Sequence, residues 1–171
     1  MKKQPTQNIC GKATIHFVFL LSTLLLLSAA PLRGDDDNAQ CHAFYGPFSS
    51  VIVPPPDCHS PVGLCTHGTL TGQFPATYDF TALTEETDTE HPDSVRLTGM
   101  SVVTTSKGVI HTDDVSVLNM VTGDFVTKAI VHDSDIAQAQ SGGFIAAGNL
   151  NLMTGEATGN YSAILCSGTN K

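Results

Sequence analysis

From Cys65 onward the chain alternates apolar and polar residues in short runs, and this two-residue period constrains its fold more than any other feature. Tyr78, Phe80 and Ala82 alternate with Thr77, Asp79 and Thr81, and Phe125, Thr127, Ala129 and Val131 alternate with Asp124, Lys128 and His132. Phe144, Ala146, Gly148, Leu150 and Leu152 share one parity, as do Tyr161, Ala163 and Leu165. Successive side chains of a strand point to opposite faces, so each run offers one apolar face to a core. No stretch keeps a 3.6-residue apolar period for three turns, and the chain therefore reads as all-β. Candidate strands are 65–73, 76–84, 94–105, 108–118, 124–132, 143–152 and 155–166. One apolar face per strand suits a closed antiparallel barrel, with a two-sheet sandwich as the alternative.

Two of the intervening turns are near copies. Leu118-Asn119-Met120-Val121-Thr122-Gly123-Asp124 and Leu150-Asn151-Leu152-Met153-Thr154-Gly155-Glu156 share the pattern L-N-x-x-T-G-acid. Asn and Gly tolerate the positive φ that tight turns demand, so the pattern reads as one hairpin solution used twice. Ser106-Lys107-Gly108 marks another tight turn, and Ile136-Ala137-Gln138-Ala139 has room for a single helical turn.

The N-terminus carries an address. Lys2, Lys3 and Lys12 precede an apolar run from Phe17 to Leu27, followed by Ser28-Ala29-Ala30, and residues 1–30 read as a secretory signal peptide. The run is shorter than the ~20 apolar residues that cross a bilayer, so no membrane association is expected once the signal is removed. Residues 31–57, with an acidic run and Pro54-Pro55-Pro56, read as an irregular N-terminal arm in which Ala43 to Val53 has the makings of one strand, and 58–171 as the barrel domain. Loss of residues 1–30 leaves five Lys and Arg against sixteen Asp and Glu, a net charge near −11, which repels nucleic acid and anionic surfaces.

Cleavage also removes Cys10 and leaves Cys41, Cys58, Cys65 and Cys166, an even number that implies two disulfides in an oxidising compartment, periplasmic or extracellular. Two pairings stay open. If Phe74-Pro75 is a bend within one long strand, Cys65 reaches Cys166 and Cys41 pairs with Cys58; if 43–52 is the first of eight up-and-down strands, Cys41 lies nearest Cys166 and Cys58 pairs with Cys65. The absence of CxxC and HxxxH spacings argues against a metal site, and nothing in the sequence calls for a cofactor.

The segments Ser60-Pro61-Val62-Gly63-Leu64-Cys65-Thr66-His67-Gly68-Thr69-Leu70-Thr71-Gly72 and Thr77-Tyr78-Asp79-Phe80-Thr81 carry a family resemblance. So do Leu97-Thr98-Gly99, Thr104-Thr105-Ser106-Lys107-Gly108, Thr122-Gly123-Asp124-Phe125 and Thr158-Gly159-Asn160-Tyr161-Ser162. Together they resemble the secreted bacterial proteins with an allene oxide cyclase-like barrel, distant kin of the plant cyclases and the dirigent proteins. The resemblance implies a small antiparallel β-barrel of about eight strands, a lumen that holds an apolar small molecule, and a homo-oligomer. It further implies cyclisation or isomerisation steered by shape rather than by covalent catalysis, with a non-catalytic carrier or interaction module of the same fold as the alternative.

Such a lumen needs an apolar lining and one or two groups that shift a proton or stabilise charge. Tyr78, Phe80, Phe144 and Tyr161 are the candidate ligand-binding residues. His111 and Asp113, two apart and in parity with Val109, Val115 and Val117, are the candidate catalytic pair if that face turns inward. Ile110, Asp114 and Leu118 hold the opposite parity, and if they face inward the pair lies in solvent or at the rim.

Overall fold

A computed structural model describes residues 39–87 and 89–168; the signal segment and the acidic run at 35–37 lie outside them. Eight strands follow in chain order: β1 (Cys41–Ile52), β2 (Cys65–Leu70), β3 (Ala76–Thr87), β4 (Ser94–Thr105), β5 (Gly108–Asn119), β6 (Asp124–Ser134), β7 (Ser141–Leu150) and β8 (Glu156–Cys166). Each pairs antiparallel with the next, and β8 returns to β1 from Cys41↔Cys166 to Val51↔Glu156, so the sheet closes into an eight-stranded up-and-down barrel. Closure removes the exposed edges that an open sheet leaves unpaired.

The barrel begins at Cys41 rather than at residue 58, because the strand expected at 43–53 within the arm is β1, which pairs into the barrel. Pro47 and Gly46 disguise this strand, one lacking an N–H and the other a side chain. Pro47 sits in register with Asn160, and its carbonyl accepts the Thr71 N–H at 2.9 Å and the Thr71 hydroxyl at 3.2 Å. Inside the wall, Phe44, Gly46, Phe48 and Ser50 keep the period of two.

This register selects between the two disulfide pairings. Cys41 stands opposite Cys166 and is bonded to it, joining the first strand to the last, while Cys58 is bonded to Cys65 across the β1–β2 loop. Both bonds fit a chain kept in an oxidising compartment. No helix among the described residues is long and apolar enough to cross a membrane.

The two ends of the barrel differ. At the end holding Cys41 and Cys166, Phe74 of the β2–β3 turn lies 5.3 Å from Phe44 and 5.8 Å from Phe144 between ring centres. Ile136 and Ala139, from the 135–140 loop, pack into the same core as Ile110 and Leu165. That loop makes one turn, Ala139 N–H to the Ile136 carbonyl, and no helix. At the other end Val95, Leu97 and Leu118 form a smaller cluster flanked by half-buried Leu64, Phe125 and Leu150. One end is plugged by aromatic rings, and the other carries the long β1–β2 and β3–β4 loops.

The twin turns share one hydrogen-bond scheme. Asn119 Oδ1 accepts the Val121 and Thr122 N–H groups at 2.9 Å each, and Asn151 Oδ1 accepts those of Met153 and Thr154 at 3.0 and 3.2 Å. Gly123 and Gly155 adopt φ of 77° and 74°. Both turns lie at the open end, where they place Leu118 and Leu150 on the lumen wall.

Candidate functional site

Strand alternation decides what reaches the lumen. On β5 the buried residues are Ile110, Thr112, Asp114, Ser116 and Leu118, and the exposed ones are His111, Asp113, Val115 and Val117. His111 and Asp113 are therefore on the outer wall: of the two alternatives, the one that leaves the candidate pair in solvent holds, and the pair does not reach the lumen. They are not partners either: Asp113 approaches His132 Nδ1 at 3.7 Å, and His111 stands in register with Asp133. The register shift between β5 and β6 falls at His111/Thr112, yet alternation along β5 runs unbroken from Ile110 to Leu118.

The lumen holds a cavity of about 140 Å³. Its lining includes all four aromatic residues expected there, Tyr78, Phe80, Phe144 and Tyr161, and adds Phe48 from β1 and Phe125 from β6. The wall reaches Leu64 and Leu150 at the open end and does not include Phe44 or Phe74 of the plug. Glycines let the rings lie flat against the sheet. A Cβ on Gly68 would stand 2.5 Å from the Tyr78 ring, one on Gly99 2.6 Å from the Phe80 ring, and one on Gly159 2.7 Å from the Phe48 ring. Each such Cβ would also meet a backbone oxygen, of Ser49, Thr81 and Ala147 respectively, so a side chain at any of the three would displace the wall as well as a ring.

Tyr161 has a different task from the other rings. Its hydroxyl donates to the Thr71 carbonyl at 2.8 Å and accepts the Phe74 N–H at 3.1 Å. Its ring borders the cavity while its polar end ties the β2–β3 turn across the closed end, and burial raises its pKa against the hydrogen bond to the Phe74 backbone. Phe80 and Phe144 contribute apolar surface alone.

A polar patch lies halfway along the barrel. Asp114, 4% exposed, accepts the Ser101 hydroxyl on Oδ2 at 2.5 Å and the Thr112 hydroxyl on Oδ1 at 2.6 Å. Ser116 and Thr127 bond each other at 2.6 Å on the same wall. Burial pushes the Asp114 carboxyl from 3.8 up to about 6, opposed by the hydrogen bonds from Ser101 and Thr112 and assisted by the charge on neighbouring Asp113. Burial also raises the Tyr78 phenol, a hydrogen bond with Ser50 pulls it back, and the Asp114 charge raises it further. A carboxylate has about four acceptor positions and Asp114 uses two, so it can still accept from a molecule in the cavity.

Asp114 is therefore the carboxyl that the lumen offers; the sequence reading did not select it, and its parity with Ile110 and Leu118 was the signal that could have found it. Among the described residues no cluster of His, Cys, Asp and Glu has the geometry of a metal site. Every buried side-chain nitrogen and oxygen among them has a hydrogen-bond partner. Comparisons with family models, with curated proteins and with solved structures find no match.

Proposed function

We propose that this chain is an exported barrel that holds an apolar small molecule in its lumen and grips it by one polar group at Asp114. The observation that carries the reading is the aromatic-walled cavity of about 140 Å³ with a buried carboxyl on one side. An engineered apolar cavity of ~150 Å³ takes up benzene, so the space suits a molecule about one ring across with its remainder toward the open end. The allene oxide cyclase-like resemblance supports the same use of the lumen, and the two disulfides and the signal-like N-terminus support export. Net charge near −11 after signal removal speaks against nucleic acid as a partner.

A second reading, isomerisation or cyclisation of the bound molecule without a covalent intermediate, is favoured by one feature of the patch. A carboxyl with a pKa of about 6 gives and takes a proton close to neutral pH, as a general acid or base must. In that reading Asp114→Asn abolishes turnover and leaves binding of the apolar body in place. In the carrier reading the same variant changes affinity alone.

Mass spectrometry of small molecules retained by the natively purified protein tests the proposal. The expected result is an apolar compound held by the wild type and lost from Ala129→Phe, which fills the lumen from β6. Equal retention by the two proteins would place the ligand elsewhere and contradict the reading. For the homo-oligomer that the resemblance implies, the outer wall of β5 to β8 supplies exposed Val117, Val126, Ile130, Ile145 and Ile164 as an apolar face. Sedimentation showing a monomer at high concentration would remove that part.

A further inference from the structure

We propose that the lumen's ligand is a small cationic amine with a ring-sized apolar body, its ammonium group seated against the Asp114 carboxylate. This rests on the ligand-holding reading above and names the chemical class of the ligand. Three observations converge on it.

The first is an uncompensated charge. The cavity lining contains Asp114 and no Lys, Arg or His. Arg96, Lys107 and Lys128 are exposed, as are His67, His111 and His132. Two neutral hydroxyls are the hydrogen-bond donors to Asp114, and an ionised carboxylate withdrawn from water is costly unless a positive charge joins it. An ammonium bound in the lumen supplies that charge and uses the free acceptor positions on the two oxygens.

The second is the wall itself. Phe48, Phe80, Phe125 and the Tyr78 ring are among the side chains that line the remaining space. Aromatic faces attract cations as well as burying a ring, by roughly 0.5–2 kcal/mol per contact depending on desolvation. A neutral apolar ligand uses the second property of these rings, and an aryl amine uses both.

The third is the approach. The open end carries Glu85, Glu86, Asp93, Asp124 and Glu156, and Arg96 lies 3.8 Å from Glu86. An acidic rim concentrates cations at the entrance and repels carboxylates.

Binding requires Asp114 ionised. The groups that face it are Ser101 and Gly99 from β4, Tyr78 from β3, Thr112 from β5 itself and Ala129 from β6; Asp113 lies beside it on the outer face of β5. None of these carries a positive charge. Affinity for an amine therefore rises as pH passes upward through the Asp114 midpoint, for as long as the amine keeps its proton.

Isothermal titration of the disulfide-intact protein with benzylamine, benzyl alcohol, toluene and benzoate tests the inference, in wild type and in Asp114→Asn, at pH 7.5 and pH 5. Benzylamine is expected to bind the wild type about tenfold or more tighter than benzyl alcohol at pH 7.5, the usual worth of a charge-assisted hydrogen bond. It is expected to weaken about tenfold at pH 5, as most of the carboxyl takes up a proton. Benzoate should show no binding. Asp114→Asn should reduce benzylamine to the level of benzyl alcohol and leave toluene unchanged. The pH comparison on the wild type gives the same information if the variant fails to fold. Equal binding of benzylamine and benzyl alcohol at pH 7.5, or tighter binding of benzoate, would overturn the amine assignment while toluene binding keeps the lumen reading. Failure of all four compounds would overturn both.

Discussion

Asp114 shows how a single residue can be placed at the expense of stability. Its folded pKa, about 6, lies above the unfolded value near 4, so the folded state holds the proton more tightly. The stability this brings is fully present below pH 4 and is lost as pH rises through 6. Two pKa units correspond to on the order of 3 kcal/mol. Urea denaturation should accordingly show the wild type losing stability on that order between pH 4 and pH 7.5. Asp114→Asn, which carries no charge in either state, should flatten the dependence and be the more stable protein at pH 7.5. A wild type as stable at pH 7.5 as at pH 4 would mean that the carboxylate is better compensated than the two hydroxyls allow. The residue was legible only in part. Val115 and Val117 stand outside β5 while Thr112, Asp114 and Ser116 stand inside, so the polar patch makes this strand read inside out. Counting valines points to the wrong face wherever a lumen holds polar groups.

At the scale of elements, the seven strands from Cys65 onward lie close to where alternation puts them, since all but β5 turn a mainly apolar face to a shared interior. β1 was legible as a strand at 43–53 but not as part of the barrel domain, because Gly46 and Pro47 interrupt the side-chain signal in a strand whose backbone pairs with β8 from Cys41 to Val51. The twin turns allow a finer comparison. Gly123 and Gly155 both hold a positive φ, which costs a side-chain-bearing residue about 1–2 kcal/mol. Their surroundings differ: a Cβ on Gly123 would run into the Leu150 carbonyl oxygen, whereas one on Gly155 would meet the Ile52 Cβ at 3.3 Å, a contact that a shift of a few tenths of an ångström relieves. Gly123→Ala should therefore cost about 1–3 kcal/mol more than Gly155→Ala. Equal losses in thermal or urea melts would show that the β6–β7 approach relaxes freely around the added methyl.

For the whole molecule, the order of the strands and the site depend on closure of the barrel. The Cys41–Cys166 bond spans 125 residues and joins β1 to β8, while Cys58–Cys65 spans seven within one loop. In the chain-entropy account the long crosslink contributes about 5 kcal/mol and the short one about 2–3. The double variant Cys41→Ala/Cys166→Ala should thus be less stable than Cys58→Ala/Cys65→Ala by about 2 kcal/mol in urea, with the reverse order contradicting the idea that the seam needs the staple. The sequence left this pairing open because it turns on whether β1 is a strand of the barrel, a question of register that no spacing of cysteines answers. The mixture of plugged end, open end and unfilled middle was likewise beyond the pattern of alternation, which says that a side chain points inward and not how much room remains there. The claim that the lumen is a binding site is tested most directly by methyl-resolved nuclear magnetic resonance during titration with toluene. The account predicts that the methyl signals of Leu97, Leu118 and Leu150 and of Val103 shift along one common binding curve, while those of Val126, Ile145 and Ile164 on the outer wall stay in place. Shifts confined to the outer wall, or no shift of the lumen signals at saturating toluene, would contradict it.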